Sequence, residues 1–139
     1  MHGVEYFAAK KIWKNIRFRE AWVLRRRCDC EPPFARIADW YAERHARGKN
    51  TGAGIALKLG MNSGYGKLAQ SIGRAPYNNW LYAGLITAGT RAKILKLIGM
   101  HKNPRNLFGI ATDGVLTSED FGFGQNESLG QWSAKPCAY

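Results

Sequence analysis

Carboxylates are missing from about half of this chain: between Arg44 and Thr112, 69 residues carry eleven Lys or Arg and not one Asp or Glu. Such a tract cannot neutralise itself, and it presents positive charge that attracts phosphates. The net charge of the whole is +11. Long apolar runs are missing too. None approaches the roughly 20 residues that cross a bilayer, and the start Met1-His2-Gly3-Val4-Glu5 lacks the layout of a signal peptide. The expectation is therefore a chain with no membrane partner, residing in the cytoplasm of its cell or host. Cysteine is scarce. Cys28, Cys30 and Cys137 form an odd set, and the spacing Cys28-x-Cys30 differs from the two-residue gap of zinc knuckles, which predicts reduced, non-catalytic thiols. There is no internal repeat and no low-complexity segment. With 45% hydrophobic and 22% charged residues the composition is that of a folded globular chain, and 139 residues suit one compact unit.

Helical spacing at Tyr6, Ala9, Ile12 and Trp13 predicts a helix over Glu5 to Ile16, and alternation at Phe18, Ala21 and Val23 predicts a strand. After Arg25-Arg26-Arg27, Pro33 marks the start of a second helix with an apolar stripe of Phe34, Ile37, Trp40 and Tyr41 and a cationic far end of Arg44, His45, Arg47 and Lys49. Gly48 to Gly54 reads as a loop. A third helix follows from about Gly54 to Ile72, with a turn near Gly73-Arg74-Ala75-Pro76, so that the pair forms a basic helical hairpin. Leu81, Leu85, Ala88, Ala92 and Leu95 predict a fourth helix over Trp80 to Ile98. Leu107 to Ala111 and Val115 to Thr117 flank Thr112-Asp113-Gly114, and an Asp-Gly pair between two such runs predicts a β-hairpin turning on residues that tolerate positive φ.

Lys58, Asn62 and Tyr65 stand at i, i+4 and i+7 of the third helix, so an ammonium, an amide and a phenol share one side while Leu57, Met61, Gly64 and Leu68 define another. Gly60, Gly64 and Gly66 leave space beside that face, although a helical glycine costs about 1 kcal/mol relative to alanine. The arrangement suits either a nucleotide, with phosphates at Lys58 and a base or sugar at Tyr65, or an ordinary solvated face. The run Lys58-Leu-Gly-Met-Asn62-Ser63-Gly-Tyr65-Gly66 resembles motif B of family B DNA polymerases, Lys-x-x-x-Asn-Ser-x-Tyr-Gly, at all five defining positions. Pro33-Phe34 followed by Trp40-Tyr41 is similar to the first fingers helix of the viral and protein-primed members. Leu129-Gly130-Gln131-Trp132 is similar to the segment that follows their palm hairpin.

The resemblance implies that Lys58 binds the triphosphate of the incoming dNTP and that Asn62, Tyr65 and Gly66 shape the nucleotide pocket. It places Arg44 near a second phosphate contact, with Arg47 and Lys49 as alternatives. Gly109-Ile110-Ala111-Thr112-Asp113-Gly114 is similar to motif C, Tyr-x-Asp-Thr-Asp-Ser. Asp113 keeps the second aspartate, the metal ligand, but Ala111 replaces the first. It further implies two Mg2+ ions, for which Asp113 supplies one carboxylate. The other belongs to motif A, and no segment of that kind precedes Pro33; Asp29, between Cys28 and Cys30, lacks its context.

The fold class expected is α+β: residues 1–32 lead from a palm-associated helix and strand into the fingers, 33–74 form the fingers hairpin, and 75–139 carry the palm helix and the motif C hairpin of a small antiparallel sheet. The function implied is nucleotidyl transfer from dNTP to a primer 3′-hydroxyl, in partnership with primer-template DNA and with the remaining polymerase segments, the chain being inactive alone. A non-catalytic nucleic-acid-binding module derived from a polymerase is the alternative, and an unrelated nucleotidyltransferase a third.

Overall fold

The computed structural model describes residues 1–25, 29–73, 76–126 and 128–137. The chain is mixed α and β, with four α-helices and one two-stranded antiparallel sheet among the described residues. It divides into two compact units where one was expected: unit 1 holds Met1–Arg17 and Leu81–Tyr139, and unit 2 holds Phe18–Trp80. The physical reason is an excursion of the chain, which leaves the first unit at Arg17 and closes a helical hairpin of its own before returning.

In unit 2 the stretch from Phe18 to Arg25 has no regular structure, which corrects the predicted strand. Alternating apolar residues make a strand only when a neighbour takes up their backbone groups. Here no described strand pairs with them, and Trp22 and Val23 are largely exposed. The predicted helix after Pro33 forms as α2 (Arg36–Ala46), entered through a turn in which the Ala35 amide donates to Pro32 O at 3.1 Å. It is joined to α3 (Gly52–Ala69), and the two pack side by side as an antiparallel pair.

The connection is built residue by residue. Gly48 ends α2 at φ +86°, a conformation that favours glycine. Thr51 caps α3 by accepting from the Gly54 amide at 3.1 Å, while its hydroxyl lies 3.0 Å from Arg47 O and 2.9 Å from Gly48 O. Gly54 is buried, and a Cβ there would stand 2.1 Å from Gly48 O, so only glycine lets the helix start so close to the loop. At the far end Asn79 donates its amide to Leu68 O at 3.0 Å and the Asn78 side chain bonds Gln70 O, which satisfies carbonyls that α3 leaves unpaired. The turn residues Arg74 and Ala75, like Arg26, Arg27 and Cys28, lie outside the described residues.

Unit 1 is organised on α4 (Trp80–Ile98), whose bounds match the predicted helix. The first helix, α1 (Gly3–Ala9), is shorter than expected; hydrogen-bonded turns continue it to Trp13. This opening stretch is laid along α4. His2 sits where a Gly84 side chain would be, Glu5 pairs with Arg91, and Ile12 lies 3.3 Å from the place of a Cβ on Gly99. Ala8, Ala9, Ala83, Ala88 and Ala92 are buried with Ile94 and Leu97, so the core is made chiefly of small side chains.

Beyond a 3-10 turn at Pro104–Asn106 come β1 (Leu107–Ala111) and β2 (Gly114–Thr117), antiparallel, with Ala111 opposite Gly114 and Ile110 opposite Val115. The turn is therefore Thr112-Asp113, one residue earlier than the Asp-Gly signal predicts, and Gly114 is the first residue of β2. Positive φ falls on Thr112, at +43°, and on neither Asp113 nor Gly114. His101 ties the sheet to the end of α4: its Nδ1 lies 3.0 Å from Leu97 O and its Nε2 3.0 Å from Thr117 Oγ1. Glu119 completes the tie, its amide donating to Thr117 Oγ1 at 3.0 Å and its carboxylate accepting from the Lys102 amide.

Candidate functional site

Unit 2 brings together the residues that the sequence singles out on α3. Leu57, Met61 and Leu68 are half-buried along one side, as their spacing requires, while Lys58, Asn62, Tyr65 and Gly66 are all exposed. Among the described residues Lys58, Asn62 and Tyr65 make no side-chain hydrogen bond, ion pair or ring contact, so a cation, an amide and a phenol stand together with their bonding capacity unused. Gly66 lies next to this face, and Gly60 and Gly64 lie elsewhere around the helix. A Cβ on Gly60, Gly64 or Gly66 would meet nothing within 4 Å, so packing inside the unit explains none of the three. Each lowers helix stability by about 1 kcal/mol relative to alanine.

Arg44 is half-buried on α2. The half-buried stripe of α2 is Ile37, Tyr41, Arg44 and His45, with Trp40 exposed. Arg44 Nε donates to Gly54 O at 3.2 Å, so its guanidinium closes the α2–α3 seam. Arg47 pairs with Glu43 at 2.7 Å, an i, i+4 pair on the surface. Folding offsets part of the tract's charge, pairing Arg47 with Glu43 and Arg91 with Glu5, while Arg44, Lys67 and Lys93 bond to the neutral oxygens of Gly54, Gln70 and Gly130.

Asp113 belongs to unit 1, exposed at the β1–β2 turn. It borders an open cleft of about 850 Å³ lined by Phe108, Phe121, Phe123, Trp132 and Lys135 among others. Phe121 stacks on Phe123 and Phe123 on Trp132, with centroids 5.7 and 6.3 Å apart, and His101 meets Phe121 edge-on at 4.7 Å. The alternation Phe121-Gly122-Phe123 is the sequence signal that could have announced this row.

The donor set does not fit a two-ion metal centre. Among the described residues no three His, Cys, Asp or Glu side chains gather to hold an ion. The other described carboxylates of the cleft are engaged, Glu119 by the Lys102 amide and Asp120 by the Gly122 amide at 2.7 Å. Cysteine also departs from expectation: Cys30 is disulfide-bonded, not reduced, and Cys137 is an exposed free thiol, while Cys28 lies outside the described residues. One ionisation is clearly perturbed. The Arg91 side chain bonded to Glu5 holds that carboxyl below its ordinary value, burial opposing and the His2 amide assisting at 2.8 Å. No helix among the described residues is long and apolar enough to cross a membrane. The chain has no match among protein-family models, curated proteins or solved structures.

Proposed function

We propose that this chain is the fingers and motif C portion of a family B DNA polymerase, contributing to nucleotidyl transfer from dNTP to a primer 3′-hydroxyl as part of a larger whole. The observation that carries the reading is the motif Lys58-x-x-x-Asn62-Ser63-x-Tyr65-Gly66, in which Lys58, Asn62 and Tyr65 stand exposed and unengaged on one face of α3 next to Gly66, which packing does not explain. In this reading Lys58 makes a charge-assisted contact with the triphosphate, worth about 1.5–3 kcal/mol. Asn62 and Tyr65 orient the nucleotide, and Gly66 lets it approach the helix. Arg44 acts on the site indirectly by holding α2 against the start of α3.

A two-ion centre would supply Lewis-acid chemistry to such a reaction, and Asp113 is the residue of this chain that would contribute a carboxylate to it. Asp113 alone does not make that centre, so the chain is inactive until another segment supplies the remaining carboxylate. Template-directed incorporation by the chain mixed with a polypeptide carrying motif A, abolished by Lys58→Ala, tests the proposal. An unchanged Michaelis constant and turnover for nucleotide in Lys58→Ala would remove Lys58 from the role. The second reading, a non-catalytic nucleic-acid-binding module, is favoured by Ala111 at the place of the first motif C aspartate; DNA binding without incorporation in the same mixture selects it.

A further inference from the structure

We propose that the segment Lys10 to Arg17 of unit 1 is a track for single-stranded nucleic acid; this rests on the reading of the chain as a nucleic-acid enzyme or binder. The only carboxylate before Glu20 is Glu5, which is 7% exposed and paired with Arg91. Lys10, Lys11, Lys14 and Arg17 are all exposed, so four cations face solvent with no local acid to offset them. Trp13 stands among them, 50% exposed.

Its placement has a structural cause. The amides of Ile12 and Trp13 both donate to Ala9 O, at 2.9 and 2.8 Å, which fixes the turn after α1. Ile12 is seated against Gly99 and half-buried, while its neighbour Trp13 is left at the surface. An indole held by a fixed turn between cations is a stacking platform with a phosphate track, and stacking of this kind needs a base face that a duplex keeps covered. An anionic bilayer is the less suitable surface, because Asn15 to Arg17 are not helical and no continuous amphipathic helix is available to lie in the interface plane.

The test uses the full chain and fluorescence anisotropy with a 20-nucleotide oligo-dT and a 20-base-pair duplex. Trp13→Ala is expected to weaken oligo-dT binding about tenfold and duplex binding less than twofold, and Trp13→Phe to restore most of the loss. Lys10→Gln/Lys11→Gln/Lys14→Gln should flatten the log–log salt slope for oligo-dT by about 2. Trp13→Ala binding oligo-dT within twofold of wild type, or losing both ligands equally, overturns the proposal. So does competition by phosphatidylserine vesicles that depends on Trp13. The polymerase reading fails separately: a Trp13 effect without nucleotide incorporation in the completed mixture removes that reading and leaves the track.

Discussion

Gly66 and Thr112 show how single residues separate folding from function. Gly66 has open space around it on an exposed helix, so Gly66→Ala should raise the stability of unit 2 by about 0.5–1 kcal/mol. If the glycine leaves room for a nucleotide, the same substitution should impair nucleotide use in the completed enzyme. Denaturant unfolding beside steady-state kinetics reads both effects, and a variant that is stabilised and fully active counts against a ligand on this face. Thr112 holds φ +43°, strained for a β-branched side chain. Thr112→Asn should stabilise the hairpin by about 0.5–1 kcal/mol, read as a rise in melting temperature.

The elements were unequally legible. Alanine and leucine recurring at helical steps mark α4 from Trp80 to Ile98, because a single helix carries its own periodicity. The strand expected at Phe18 to Val23 fails for the opposite reason: alternation describes one strand, and pairing depends on a neighbour that the local sequence does not contain. The Asp-Gly signal located the hairpin and missed its tip by one residue, since register is set by pairing across the two strands. The exposed face of Lys58, Asn62 and Tyr65 follows from i, i+4, i+7 spacing, whereas the seam role of Arg44 required the close approach of Gly54 to Gly48, which no spacing announces. That approach makes a prediction for the α2–α3 hairpin. Gly54→Ala, whose Cβ would stand 2.1 Å from Gly48 O, should destabilise unit 2 by at least about 2 kcal/mol, against about 1 kcal/mol for loss of the Thr51 cap in Thr51→Ala. Equal, small effects in chemical unfolding would contradict the packing described.

For the molecule as a whole, the net charge is +11, and the buried carboxylate of Glu5 is paired with Arg91. Because Glu5 titrates below its ordinary value in the folded chain, its pairing with Arg91 stabilises unit 1 above the ordinary carboxylate range, and that stability is lost as pH falls through the lower folded value. Thermal melts from pH 7 down to about pH 3 should show acid sensitivity that Glu5→Gln reduces. The proposed function makes the chain one part of a polymerase site. Asp113→Asn keeps a good turn residue and removes the charge. The most direct measurement is magnesium-dependent dNTP incorporation on a primer-template by the purified chain, with and without a polypeptide carrying motif A, in wild type and in Asp113→Asn. The account predicts no incorporation by the chain alone, incorporation in the mixture, and a loss of several orders of magnitude in Asp113→Asn. Incorporation by the chain alone, or an Asp113→Asn mixture within about tenfold of wild type, a difference of only about 1.4 kcal/mol, would contradict it.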